Sequence, residues 1–161
     1  MSASLRPMLP TDGPVLAALF RDSIEILAAD DYDAAQRDAW ASAADDQVAF
    51  AARLAGQLTL VAVEHGEPIG FASLKGADHV DMLFVAPDHA RQGVATLLLD
   101  ALLRLAGARG ASTLTVDASD TARDLFAARG FVAVSRRTVP RGEVWLGQTQ
   151  MKLTLVKDPP A

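Results

Sequence analysis

The sequence predicts a single α/β domain whose central sheet is mixed, mostly antiparallel, six to seven strands wide and flanked by helices. Three observations carry this. Short alternating apolar segments are interspersed with stretches of helical spacing, in the order strand, helices, three strands, helix, strand, helix, two strands. Two of the strand pairs are joined by short glycine-containing links, the first of them a hairpin link with the glycine such a turn requires. The length, 161 residues, suits one core, and neither a repeat nor a linker divides it. The domain is expected over residues 1–156, with 157–161 as a tail.

Ser4 to Leu9 reads as the first strand, closed by Pro10. Thr11-Asp12-Gly13-Pro14 starts a helix with proline inside the first turn, and Val15, Leu16, Leu19, Phe20, Ser23, Ile24 and Leu27 follow at helical spacing. Asp30-Asp31-Tyr32-Asp33 breaks that pattern and caps a second, short helix, Ala34 to Ala41. A third helix covers Asp46 to Ala55 and ends at Gly56. Leu58 to Glu64 and Pro68 to Leu74 are strands joined by the hairpin link His65-Gly66-Glu67. His79 to Val85 is the next strand, and a helix runs from a turn at Gly93 to about Ala108. Ser112 to Asp117 is a strand, and Ser119 to Arg129 a helix with a serine cap that stops at Gly130. Phe131 to Val139 and Val144 to Leu155 are the last strands, joined through Pro140-Arg141-Gly142.

Composition excludes several classes of function. The net charge is −5 and there is no basic stripe, which argues against general nucleic-acid binding. No apolar run reaches the ~18 to 20 residues of a membrane span, and the N-terminus lacks a signal peptide's apolar core, so a cytoplasmic protein is expected. Arginine far outnumbers lysine and alanine is abundant, which hints at a GC-rich bacterial genome. With no cysteine, disulfides, thiolate metal sites and cysteine nucleophiles are all ruled out. Three scattered histidines (His65, His79 and His89) have no metal-ligand spacing, so no metal is expected.

The most informative stretch is Val85-Ala-Pro-Asp-His-Ala-Arg91-Gln92-Gly93-Val94-Ala95-Thr96, between an apolar strand and an apolar helix. A helix opening at Gly93 presents unpaired N–H groups and the positive end of its dipole, a ready anion site. Gly93 lets the backbone approach a phosphate closely, and Ala95 is nearly as small. A ligand bearing a pyrophosphate fits. Neither Gly-x-x-x-x-Gly-Lys-Ser/Thr nor Gly-x-Gly-x-x-Gly occurs.

The element order and this turn resemble the GNAT superfamily of acyl-CoA-dependent N-acyltransferases. Its phosphate loop, Gln/Arg-x-x-Gly-x-Gly/Ala, corresponds to Ala90-Arg91-Gln92-Gly93-Val94-Ala95, where Ala90 departs from the usual Gln or Arg. Ala122-Arg-Asp-Leu-Phe126-Ala-Ala-Arg-Gly130-Phe131 is similar to the family's Ala-x-x-x-Tyr-x-x-x-Gly-Phe segment. Together the matches span Val61 to Val139, and Gly76 to Val85 resembles a subgroup of uncharacterised small bacterial members.

The resemblance implies a co-substrate, acetyl-CoA, and a set of residues around it. The amides of Gln92, Gly93, Val94, Ala95 and Thr96 would take the pyrophosphate; the Thr96 hydroxyl either adds to them or is an ordinary first-turn threonine. Leu83, Phe84 and Val85 would form the strand segment that receives the pantetheine arm, with the Leu83 N–H polarising the thioester carbonyl and holding the oxyanion. Arg91 and Arg123 are candidates for the adenosine-end phosphates, although exposed arginines on helices also simply face water. His79 is the first candidate for the base that neutralises the attacking amine, because an unperturbed imidazole titrates near ~6.5; the alternative is a strand-end histidine bonded to backbone. Asp81 shares its face under strand alternation, either orienting His79, binding the ammonium, or serving structure. Many relatives have tyrosine as general acid where Phe126 stands at the cofactor site, so water or Tyr32 would have to replace it.

Tyr32 and Trp40 fall where relatives wall the acceptor pocket, with core packing as the other reading. Asp30, Asp31, Asp33, Asp81, Asp117 and Glu143 are carboxylates that would make an acidic mouth for a cationic or amino-acid-like amine. With no cysteine to carry an acyl group, direct attack in a ternary complex follows. The expected activity is acetyl transfer from acetyl-CoA to a primary amine, a small molecule rather than a protein. The other reading is a non-catalytic acyl-CoA sensor, for which Phe126 and Ala90 argue. A homodimer through the C-terminal strands is what the family suggests.

Overall fold

In the computed structural model, residues 3–155 are described, so the expected tail lies outside them. The strands are β1 (Ser4–Pro7), β2 (Leu58–Glu64), β3 (Glu67–Lys75), β4 (His79–Val85), β5 (Thr113–Ser119), β6 (Val132–Arg141) and β7 (Val144–Thr154). They form one sheet in the order β1-β2-β3-β4-β5-β7-β6. Only β4 and β5 run parallel; every other neighbouring pair is antiparallel. The helices are α1 (Gly13–Leu27), α2 (Ala34–Ala41), α3 (Gln47–Ala55), α4 (Val94–Ala108) and α5 (Arg123–Ala128). No helix among the described residues is long and apolar enough to cross a membrane.

Local chemistry explains most boundaries. Asp33 Oδ1 accepts from the Gln36 amide at 2.8 Å while Gln36 Oε1 accepts from the Asp33 amide at 2.9 Å, a reciprocal cap that starts α2. Asp46 caps α3 by accepting from the Ala49 amide at 3.0 Å, and Gly56 closes it. Two elements are shorter than their sequence pattern. β1 stops at Pro7 because the chain turns there: the Leu9 amide donates to Asp12 Oδ2 at 2.7 Å, and Arg6 reaches the same carboxylate at 2.7 and 3.0 Å. The helix expected from Ser119 begins only at Arg123. Ser119 stays in β5, opposite Gln148 of β7, and its hydroxyl caps a turn by accepting from the Ala122 amide at 3.2 Å.

The sheet separates two apolar clusters. On one face α4 brings Val94, Leu98, Leu99 and Leu102 against Leu74, Val80, Leu114 and Val116. On the other, α1 and α3 bring Leu16, Phe20, Ile24, Phe50 and Leu54 against Val61, Phe71 and Met82. Fully burying one such side chain contributes about 1.5–3 kcal/mol. The start of α4 lies close to the sheet at Gly70 of β3. A Cβ there would meet Val94 Cγ1 at 3.0 Å, the Phe84 carbonyl at 3.1 Å and Leu98 Cδ1 at 3.2 Å, so only glycine lets the helix sit this near.

Candidate active site

β4 and β5 pair only at His79 with Thr115 and at Val80 with Val116, although β5 continues to Ser119. The sheet is therefore open between them. A bulge begins the opening: Ser73 faces Met82 and Leu74 faces Val80, which leaves Asp81 as an extra residue on β4. Beyond it β4 stays in register with β3, and the Ala86 amide donates to the Ile69 carbonyl at 2.8 Å. Antiparallel alternation then turns the main-chain groups of Phe84 and Met82 toward β3 and those of Leu83 and Val85 outward, into the opening. Phe84 instead contributes its ring, which packs on Phe20 and Trp40 at centroid distances of 4.7 and 6.0 Å.

The turn after β4 supplies the second component. Gly93 sits at φ 84°, and Arg91 at φ 61° is also left-handed, a conformation rare outside glycine. The first helical bond runs from the Leu97 amide to the Gly93 carbonyl at 3.0 Å, so the amides of Val94, Ala95 and Thr96 have no intrahelical acceptor. They border a cavity of about 310 Å³ together with Leu83, Val85 and Arg91. No carboxylate borders this cavity, whereas His89 does; its Nε2 lies 3.8 Å from Glu64 Oε2, and its buried Nδ1 has no hydrogen-bond partner among the described residues. Free amides, a helix dipole and the Arg91 guanidinium in one cavity without a lining carboxylate fit a diphosphate. Gln92 and Arg123 do not border it; the Gln92 side chain turns back to the Asp88 carbonyl at 3.4 Å, and Arg123 is exposed on α5.

A second cavity, of about 210 Å³, lies on the α1–α3 side of the opening. His79, Asp81, Asp117, Tyr32, Trp40 and Phe126 all border it, so the structure does bring these sequence candidates together. The two cavities share Trp40, Leu83, Phe84, Ser119 and Ala122 as walls and meet along Leu83.

Within the second cavity His79 is held by β5. Its Nδ1 lies 2.8 Å from Thr115 Oγ1, and the Thr115 hydroxyl donates to the Asp78 carbonyl at 3.4 Å. The Nδ1–Thr115 hydrogen bond forms with either partner donating, and Nε2 lies 3.9 Å from Asp117 Oδ2. Of the roles open to Asp81, its contacts support the structural one rather than orientation of His79. It accepts from Arg53 Nε and Nη2 at 2.9 Å each and from Gln57 Nε2 at 2.8 Å. Burial raises the Asp81 carboxyl, but the bonds from Arg53 and Gln57, with the charges of Arg53 and His79, outweigh it and hold the group below its ordinary value. Asp117 in turn accepts from Arg137 Nη2 at 2.6 Å.

The expected acidic mouth is not what forms. Of its six carboxylates only Asp81 and Asp117 border the cavity, and each is paired with an arginine. Asp33 caps α2, and Asp31 accepts from the Thr121 hydroxyl at 2.8 Å. Tyr32 is 4% exposed, and its hydroxyl donates to the Gly147 carbonyl at 2.6 Å while accepting from the Asp120 amide at 2.8 Å. Burial raises its pKa, against a smaller opposite effect of the Asp120 amide. With its proton committed to Gly147, Tyr32 ties the α1–α2 link to β7 and the β5–α5 link, and does not stand ready as a proton donor. Trp40 packs edge-on to it at 5.5 Å, so this residue is both packing and wall. Phe126 is buried against Phe131 at 5.2 Å and offers the cavity an apolar surface.

Sequence reading missed Arg53, Gln57, Thr115, Arg137 and Arg141. One signal existed. Thr115 and Asp117 lie two apart on a strand, hence on one face, and parallel pairing with His79 sets them beside it. Nothing local marks the arginines, which arrive from α3 and the β6–β7 hairpin.

A mixed sheet split beside a diphosphate-sized nest of amides defines the class of N-acyltransferases that draw their acyl group from a CoA thioester. The acetyltransferase (GNAT) domain family matches residues 28–155, and this chain belongs to that family. It is 34% identical over 148 residues to the uncharacterized N-acetyltransferase YafP of Escherichia coli K12, covering 92% of this chain and 93% of that protein. A crystal structure of a GCN5-related N-acetyltransferase from Rhodopseudomonas palustris is 58% identical, with a TM-score of 0.94 over 96% of this chain and 97% of that one. The PaiA N-acetyltransferase of Thermoplasma acidophilum, solved with coenzyme A, shares the fold at TM-score 0.78 and 15% identity, over 96% and 99% of the two chains.

Proposed function

We propose that the protein moves an acetyl group from acetyl-CoA to the primary amine of a small molecule by direct attack in a ternary complex. The observation that carries this reading is the meeting of the two cavities at Leu83, whose N–H faces the opening between them. The free amides from Val94 to Thr96, with Arg91 and His89 at the rim, are the groups to hold the diphosphate. The outward main-chain groups of Leu83 and Val85 suit an extended pantetheine arm, as an added strand would. The volume of the second cavity, about 210 Å³, lies below the ~300–1,000 Å³ of sites for drug-sized ligands, which favours a small acceptor.

Acetyl-CoA supplies the activated thioester, and the chain supplies the rest. The Leu83 amide stabilises the negative charge that builds on the carbonyl oxygen as the amine adds; one such donor is worth about 2.7–4 kcal/mol. His79 Nε2 takes the first proton from the acceptor's ammonium, and Asp117 stabilises the resulting imidazolium. Along β4 the side chain of His79 starts four residues from Leu83, about 13 Å at ~3.3 Å per residue, so this proton travels through water in the cavity. As the N–C bond forms and the C–S bond breaks, the second amine proton leaves with the thiolate or to water. Phe126 cannot donate it, and a thiol of pKa ~8.5 departs without a dedicated acid.

The test is direct because the protein contains no cysteine: CoA release can be followed with a thiol reagent free of protein background. Acetyl-CoA at ~100 times its Kd should stabilise the fold by ~2.7 kcal/mol, and amine-dependent thiol release should follow. Binding without release across a broad amine panel would instead favour the sensor reading, and no binding would remove both.

A further inference from the structure

Charge around the second cavity points to the kind of acceptor, an inference that rests on the acetyl-transfer reading above. Two arginines, Arg53 and Arg141, and two carboxylates, Asp81 and Asp117, border it, and a third arginine, Arg137, pairs with Asp117 without bordering the cavity. Arg53 is bound to Asp81 through Nε and Nη2, yet its side chain is 47% exposed and its Nη1 has no partner among the described residues. Arg137 is spent on Asp117. Arg141 borders the cavity from the β6–β7 hairpin and meets no carboxylate among the described residues; its Nη1 donates only to the carbonyl of its neighbour Pro140, at 2.9 Å. A cationic acceptor entering this mouth gains no free carboxylate, and it faces an uncompensated guanidinium.

We propose that the acceptor is a small amine that also bears a carboxylate, an amino acid or close analogue, held by Arg141 and the outer edge of Arg53. A guanidinium matches a carboxylate through two parallel N–H bonds, so this anchor fixes orientation as well as affinity. With the carboxylate at the arginines, the amine end is free to point toward His79 and the Leu83 amide, the two groups the reaction needs.

The experiment compares α-amino acids with their amides and their decarboxylated amines as acceptors, by thiol release, in wild type, Arg141→Gln and the remote control Arg104→Gln. In wild type the carboxylate form should be used with a kcat/KM about tenfold or more above its amide, the size expected of a charge-assisted hydrogen bond. Arg141→Gln should shrink that ratio to about threefold or less by raising KM, while Arg104→Gln leaves it unchanged. Amides or plain amines used as well as the acids would overturn this inference and leave acetyl transfer standing. A ratio untouched by Arg141→Gln would overturn the role of Arg141. Acetyl-CoA binding with no acceptor acetylated would overturn the inference together with the reading beneath it.

Discussion

Replacing Tyr32 with phenylalanine separates two roles that its place at the cavity wall leaves entangled. The substitution removes one oxygen that serves two partners, donating to Gly147 at 2.6 Å and accepting from Asp120 at 2.8 Å. Leaving a buried polar group unpaired costs ~1–3 kcal/mol, and here a carbonyl and an amide are both released. Because Gly147 borders the cavity, water can replace part of what is lost, and about 2 kcal/mol remains as the expected destabilisation. For a chain of this size that is a fall in Tm of ~4–8 °C, readable by calorimetry or thermal denaturation. If the hydroxyl is a tie, kcat should fall by less than about tenfold, with the alkaline limb of the pH profile unmoved, whereas a true general acid contributes ~10²–10⁴-fold. An unchanged Tm with kcat down a hundredfold or more (~10², the low end for an acid) would refute the tie and restore Tyr32 as proton donor.

Other perturbations test the remaining parts. Gly93→Ala forces a side chain into the left-handed region, at a cost of ~1–2 kcal/mol, and should weaken acetyl-CoA binding by about 5–30-fold in titration calorimetry. His79→Gln should lower kcat by ~10²–10⁴-fold near neutral pH and recover as pH approaches the acceptor amine's own pKa, with acetyl-CoA affinity retained. At acid pH, Asp12 is the group to watch. Hydrogen bonds from Arg6 hold its carboxyl below the ordinary value, against burial and with help from the Leu9 amide. A lowered folded pKa means its stabilisation is complete above the unfolded value of ~3.9 and is lost as pH falls through the folded one. Asp12→Asn should therefore reduce stability at pH 7 by ~1–2 kcal/mol and flatten the acid side of Tm against pH.

What the sequence displays openly is whatever rests on neighbours along the chain. The start of α2 is legible from the Asp30–Asp33 break that caps it, and β2 and β4 end where turn residues begin. Gly93 is legible because a close approach of backbone to a phosphate at a helix start calls for glycine, and Leu83 through the resemblance, which places it on the strand before that turn. The partners of each catalytic candidate were hidden for the opposite reason. Asp81 finds Arg53 across 28 positions, His79 finds Thr115 across 36, and Tyr32 reaches Gly147 across 115. Such meetings are set by the packing of α3 on the sheet and by the parallel step from β4 to β5, which no local pattern records. The acidic mouth failed on the same account: carboxylates were countable from the sequence, but their arginines were not assignable.

A sheet whose two halves share a ladder of only two residue pairs is joined at that seam mainly by the core packed beneath it and by side-chain ties above. Four strands lie on one side of the seam and three on the other, and the α1–α2 link, through Tyr32 and Asp31, and α2, through Gln36, lace them together. Any elongated molecule that fills the gap completes the missing seam. Amide hydrogen exchange should then slow on both flanks at once, out to strands the molecule never touches, and occupancy of this protein becomes readable from its rigidity.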